Sequence, residues 1–333
     1  MDAPLIAVLA VIVIALAFDY TNGFHDAANA IATSVSTRAL TPGVALLMAA
    51  IGNFIGAHFG EKVAKTVGSG LVNLPTGSAS LGVVFAGVAG AIVWNLITWY
   101  FGLPSSSSHA LIGGLVGATL AASGTVLWAK VMESVVLPMV LSPLVGFALG
   151  YLVMKLIRFI FRNGQPSKLN RGFRWAQTVS AALMSVGHGM QDAAKTIGII
   201  VLALYVGGHQ GTTSTIPEWA FWTSASVLAL GTYAGGWRII RTLGRRIIHL
   251  GPPEGFAAET VASGVLYFNA LVLGAPISTT HTITSAIMGV GSTKKLSAVR
   301  WGVAGNIVGA WILTFPAAGA MAALAYFAVR PMF

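Results

Sequence analysis

The 333-residue chain contains no cysteine, which excludes disulfides, thiolate metal sites and a cysteine nucleophile. Charge is also scarce: 8% of residues are Asp, Glu, Lys or Arg, where a soluble domain carries about 25%. Acids are the rarer sign, nine against nineteen basic residues. No Gly-rich loop ends in Lys-Ser or Lys-Thr, which argues against ATP as the energy source. No Gly-x-Ser-x-Gly elbow frames Ser108-His109 or any other candidate nucleophile, so a hydrolase is disfavoured and no enzyme activity is expected. What fills the chain is apolar: 56% of residues, 40 Gly and nine Trp, with mean hydropathy +0.80. Several apolar runs approach the ~20 residues a helix needs to span a bilayer. The expected class is therefore an all-α, polytopic integral membrane protein, because a barrel would show short alternating strands. The net charge of +10 could indicate nucleic acid, but the basic residues sit in short loops between apolar segments and read as membrane topology. The bilayer is the expected partner and nucleic acid is not. The first apolar stretch follows Met1-Asp2 with no basic region and no cleavage signal, and reads as a retained helix.

Two short polar motifs each occur twice, in the same order. Asn22-Gly23-Phe24-His25-Asp26-Ala27-Ala28-Asn29-Ala30-Ile31 aligns without gaps on His188-Gly189-Met190-Gln191-Asp192-Ala193-Ala194-Lys195-Thr196-Ile197. Gly102-Leu103-Pro104 followed by Ser105 to Ser108 and His109 aligns on Gly274-Ala275-Pro276-Ile277-Ser278-Thr279-Thr280-His281. The offsets are 166 and 172, about half the chain each time. Duplication is the expected organisation: a first repeat at 1–154, a basic linker at 155–174 and a second repeat at 175–333. Five apolar segments fall in each half, at about 4–36, 42–60, 81–101, 109–123 and 126–154, then 175–206, 217–237, 255–273, 281–291 and 297–328. Because five is odd, the second half is expected to enter the membrane in the opposite sense, as in inverted-repeat transporters.

With the N-terminus outside, fourteen basic residues fall on the cytoplasmic side. They are Arg38, six in the linker, Arg238, Arg241, Arg245, Arg246, Lys294, Lys295 and Arg300. Lys62, Lys65, Lys130 and Arg330 fall outside, and Lys195 lies at membrane depth. That bias follows the positive-inside rule and predicts a cytoplasmic linker in a cytoplasmic (plasma) membrane protein. The stretches Gly102–His109 and Gly274–His281 read as non-helical turns at membrane depth, each opening a half-helix. Irregular backbone there is tolerated only when buried in protein or lining a wet cavity.

Of the nine acids, Asp2, Glu61, Glu133, Glu218 and Glu254 can be placed in or near water, whereas Asp19, Asp26, Asp192 and Glu259 cannot. A carboxylate at that depth normally faces a cavity and meets a cation or a proton. Asp26 and Asp192 recur in both repeats; the alternative is that they only bond backbone freed by broken helices. The Ser/Thr clusters offer the opposite chemistry, hydroxyl donors at the positive ends of half-helices, suited to a tetrahedral oxyanion. A lone hydroxyl run would more simply be helix-packing glue. Lys195 stands where the first repeat has Asn29, so it could neutralise Asp192, attract an anion or replace a metal cation. His25, His109, His188 and His281 lie in the motifs, and with Glu259 are candidates for supporting contacts or proton transfer.

These paired motifs resemble the signatures of the inorganic phosphate transporter (Pit) family, over nearly the whole chain, and more closely its bacterial low-affinity type. The resemblance implies an inverted-repeat carrier, a homodimer, that moves orthophosphate, free or as a metal–phosphate complex, with H+ or Na+ and without a resident cofactor. It assigns phosphate to Ser106, Ser107, Ser108, Ser278, Thr279 and Thr280, and the cation or proton to Asn22, Asp26, Asn29, Gln191, Asp192 and Lys195. Lys195 in place of an Asn favours protons, with Asp26 free to gain and lose one. Alternatives are a sulphate permease, a sodium symporter, and a channel or receptor for phosphate. A channel or receptor would need no matched pair of acids.

Overall fold

In the computed structural model, residues 4–68, 71–74 and 76–333 are described; Asp2 lies outside them. The chain opens with α1 (Leu5–Ser36), followed by α2 (Pro42–Ala57) and α3 (Glu61–Gly68), which bend by 68° at the intervening break. A two-residue strand β1 (Val72–Asn73) leads to α4 (Ser78–Phe101) and the short α5 (Ser107–Ala121). Strand β2 (Thr125–Val126) pairs antiparallel with β1. Then α6 (Trp128–Val131) continues through a π turn into α7 (Leu137–Ile160). The same sequence of shapes follows. A long helix α8 (Pro166–Val206) precedes α9 (Glu218–Ala234) and α10 (Trp237–Arg241). Next come α11 (Pro252–Phe268), ending in a π turn, the short α12 (Thr279–Ser292) and α13 (Trp301–Val329). Even the internal prolines correspond, Pro143 in α7 and Pro316 in α13.

Among the described residues six helices are long and apolar enough to span a bilayer, or seven if the α2–α3 pair is one span. Those on the outside show it: Leu144, Leu156, Ile312 and Leu324 are exposed and apolar, as lipid contact permits. The buried interior is built instead on α8, which carries the second polar motif and is enclosed along most of its length.

The α1 and α8 helices cross the core antiparallel. Val8 lies against Gly207, Asp26 meets His188 and Asp192, and Thr37 donates to Gln177 Oε1 at 2.7 Å. Close packing of α2 on α8 depends on Gly56, where a Cβ would sit 2.0 Å from the Val186 carbonyl oxygen. Small residues at such contacts allow backbones to approach where no hydrophobic drive exists between helices in lipid.

The structure adds detail to two readings from sequence. The basic linker is mostly helical: α7 runs to Ile160 and α8 starts at Pro166, leaving only 161–165 irregular. Proline is well suited to a first helical turn, where its missing N–H is not needed, and long basic side chains reach water from helix ends. Glu254, expected in or near water, is itself buried but pairs with two part-exposed bases, Lys294 at 2.8 Å and Arg158 at 3.7 Å, and accepts from the Gly251 N–H.

Candidate functional site

Each half-helix begins after a glycine that the turn requires. Gly102 and Gly274 have φ of 66° and 63°, in the left-handed region where a side chain is strained. The extended segments that follow span 102–106 and 274–278, shorter than expected, because α5 starts at Ser107 and α12 at Thr279. Ser106 and Ser278 explain the early start: each is an N-cap whose Oγ accepts from the N–H of His109 (3.2 Å) or His281 (3.1 Å). A buried helix end needs such a cap because its first N–H groups have no partner within the helix.

The two half-helix starts meet. The Ser108 hydroxyl donates to the Ile277 carbonyl at 3.1 Å, and the rings of His109 and His281 lie 4.8 Å apart, centre to centre. His281 in turn stacks on Trp311, whose indole N–H donates to the Pro104 carbonyl. The first repeat reaches the second turn through Asn29, whose amide donates to Thr279 Oγ1 (3.1 Å) and Thr280 Oγ1 (2.9 Å). The second repeat reaches the first turn through Lys195, whose ammonium donates to Ser107 Oγ (3.1 Å) and Ser108 Oγ (3.0 Å). Thus the residues at equivalent positions of the duplicated motif, Asn29 and Lys195, each hold the hydroxyls of the opposite half.

Charge is concentrated at this junction. Lys195 Nζ lies 2.7 Å from Asp192 Oδ1, and His188 Nε2 lies 2.9 Å from Asp192 Oδ2, all three wholly buried. The other ring nitrogen of His188 faces Asn53 Oδ1 at 3.0 Å. Asp26 is held by His25 Nδ1 at 2.6 Å and by the Ser107 hydroxyl at 3.0 Å. Thr98 and Ser105 complete a chain of polar contacts around His25. Asp26, the carboxylate expected to gain and lose a proton, thus has an imidazole and a hydroxyl against it. Ligand atoms of Asp26, His188 and Asp192 fall within 4.8 Å of one another, a donor set compatible with a metal. The ammonium of Lys195 already sits on one Asp192 oxygen, so a metal there would meet a neighbouring positive charge.

The remaining sequence candidates fall in three places. Gln191 holds the second turn, accepting from Ile277 N at 3.2 Å and donating to the Ala275 carbonyl at 3.4 Å; its contacts are to backbone. Asn22 lies buried on α1 between Asp19 and Asp26, with neither amide atom hydrogen-bonded. Glu259 lies toward the linker, where Thr33, Ser180 and Gln177 donate to it at 2.5, 2.5 and 3.1 Å.

Sequence reasoning missed the contacts that fasten the turns. Thr242 donates to the Gly102 carbonyl at 2.8 Å and the Arg238 guanidinium to the Tyr100 carbonyl. Thr66 donates to the Gly274 carbonyl at 2.8 Å and the Lys62 ammonium to the Leu271 carbonyl at 2.6 Å. Both latches are a basic residue followed four positions later by threonine, and each reaches from one half into the other. The signal in sequence is that spacing, Lys62 with Thr66 and Arg238 with Thr242.

Comparison with known proteins gives the family and the fold. The model of the phosphate transporter family matches residues 22–322. A Rhizobium meliloti protein named "probable low-affinity inorganic phosphate transporter" is 49% identical over 98% of both chains. A Bacillus subtilis protein of the same name is 42% identical over the full length of both. Among solved structures, one described as "the sodium-dependent phosphate transporter" matches with TM-score 0.88 at 24% identity. It covers 98% of this chain and 100% of its own. That likeness establishes the fold.

Proposed function

The chain belongs to the phosphate transporter family, and from that premise we propose that it is a phosphate carrier driven by protons. It is a multi-pass membrane protein that moves inorganic phosphate. The observation that carries the detailed reading is the junction itself: two capped half-helix starts, one from each half, meeting at a buried ammonium and two carboxylates. Helix N-termini bind oxyanions because their free N–H groups and dipoles point at the ligand. Ser107, Ser108, Thr279 and Thr280 add hydroxyl donors, now bonded to one another's supports, that can turn to phosphate oxygens. Ser106 and Ser278 contribute as caps that fix the helix starts.

The carboxylates favour phosphate over sulphate. Hydrogen phosphate has a P–OH group to donate, and Asp26, at 3.0 Å from Ser107 Oγ, is placed to accept it. Sulphate at neutral pH has no such proton and would meet only repulsion. Lys195 supplies, as a tethered charge, what a metal cation would otherwise bring to Asp192, which supports protons rather than sodium as the coupling ion. Gln191 acts by holding the second turn.

Inverted repeats are supported by the antiparallel course of α1 and α8 and by the matched order of elements. The fourteen-to-four split of basic residues supports an outer N-terminus and a cytoplasmic segment at 155–174. The test is uptake of labelled phosphate and sulphate into proteoliposomes under separately imposed proton and sodium gradients. Phosphate accumulation on a proton gradient alone is expected. Accumulation only with sodium overturns the coupling, and equilibration without accumulation under either gradient overturns the carrier reading.

A further inference from the structure

Four carboxylates lie in the membrane interior, and three of them have a charged or hydrogen-bonding partner. Asp26 is held by His25 and Ser107, Asp192 by Lys195 and His188, and Glu259 by three donors. Asp19 differs. It is wholly buried on α1, and among the described residues no Lys, Arg or His forms an ion pair with it. The hydroxyls of Thr196 on α8 and Ser224 on α9 face it, yet neither of its oxygens closes a hydrogen bond of ordinary geometry, and neither do those two hydroxyls. The charged groups that act on it are Asp192 and Lys195. Helices α2 and α4 carry no Asp, Glu, Lys, Arg or His, apart from His58 just beyond α2, and the only such residue on α9 is Glu218 at its first position.

Asp19 also belongs to a pattern. Asp19, Asn22, Asp26, Asn29 and Thr33 are spaced by three and four residues, which places them along one face of α1. Asp19 is about 10 Å from Asp26 along the axis at 1.5 Å per residue, with Asn22 between. The stripe runs from Asp19, on the side of the N-terminus, past the phosphate junction to Thr33 and Glu259 toward the linker. An ionised carboxylate at such a place without a cation is costly, and such residues in membrane interiors mark ion or proton paths.

From this arrangement we propose that Asp19 is the carboxyl that carries the coupling proton. It takes up H+ from one side as the neutral acid, shares it with the Thr196 and Ser224 hydroxyls, and releases it to the other side as the carboxylate. Two hydroxyls and one carboxylate, with an ammonium nearby, suit a proton; a metal ion would need more oxygen ligands and less neighbouring positive charge. The proposal rests on the proton coupling inferred above.

The test compares wild type, Asp19→Asn and Asp19→Glu in proteoliposomes, measuring phosphate/phosphate exchange and accumulation driven by a pH gradient. One pH unit sustains at most about a tenfold phosphate gradient for one proton per phosphate. Wild type and Asp19→Glu should approach that ratio. Asp19→Asn should exchange phosphate but build no gradient. Asp19→Asn accumulating as wild type does would overturn the assignment of Asp19 alone. Failure of wild type to accumulate on a proton gradient would overturn the coupling instead. Should Asp19→Asn not fold, the Thr196→Val, Ser224→Ala double variant keeps the carboxyl and removes its neighbours. Its pH midpoint of driven uptake should move relative to wild type, and an unchanged midpoint would overturn the proposal.

Discussion

Replacing Lys195 with Asn gives the second motif the first motif's residue at that position and removes the one ammonium at the junction. In the structure that ammonium makes three bonds, to Asp192, Ser107 and Ser108. Removing one member of a buried ion pair leaves its partner uncompensated, at a cost of about 3–5 kcal/mol. His188 still faces Asp192 at 2.9 Å, which places the expected loss toward the lower end, about 3 kcal/mol. Denaturant unfolding in mixed micelles measures it. The Lys195→Asn, Asp192→Asn double variant should be less destabilised than the sum of the singles, with a coupling of about 1–3 kcal/mol. Sodium should restore part of the stability of Lys195→Asn if an ion can occupy the vacated place, and phosphate uptake by this variant should be lost or become sodium-dependent. A loss below about 1 kcal/mol, typical of exposed pairs, or additive singles, would refute the view that Lys195 neutralises Asp192. Uptake with unchanged ion dependence would refute its role as a cation surrogate.

Three further outcomes follow from the packing and the caps. Ser106→Ala and Ser278→Ala should each cost about 1 kcal/mol by loss of the cap, visible in the same unfolding measurement and leaving some phosphate binding. Gly56→Ala should be more disruptive, because its Cβ would lie 2.0 Å from a backbone carbonyl of α8; overpacking of this kind costs about 1–3 kcal/mol, read as a lower yield of folded protein and a lower melting temperature. A single cysteine introduced at Lys168 should be reached by an impermeant thiol reagent only in inverted vesicles, and labelling from outside in intact cells would reverse the orientation.

The duplicated motifs made the centre of the molecule legible, because polar residues that recur at fixed offsets in an apolar chain are hard to place anywhere but a shared cavity. The Gly-x-Pro breaks likewise announced the half-helices. What the sequence could not show was which hydroxyl does what. Cap identity depends on the residue where the helix starts, and because α5 and α12 start two residues earlier than expected, Ser106 and Ser278 cap them. The His25–Asp26 contact was not legible because the two residues are adjacent in sequence, where neighbours in a helix ordinarily do not face each other. The contacts of Gln191 to the 275 and 277 backbone were not legible because they lie 84 and 86 residues away. The latches at Thr66 and Thr242 were masked by Lys62 and Arg238, whose charges are already accounted for by topology.

The central claim is that one phosphate is held jointly by the two half-helix starts. Equilibrium binding of labelled phosphate to purified wild type, Ser107→Ala, Thr280→Val and the double variant tests it most directly. A hydrogen bond to a charged ligand contributes about 1.5–3 kcal/mol, so each single substitution should weaken binding roughly ten- to a hundredfold. If either substitution leaves phosphate affinity unchanged while the other abolishes it, the site belongs to one half alone and the account is wrong.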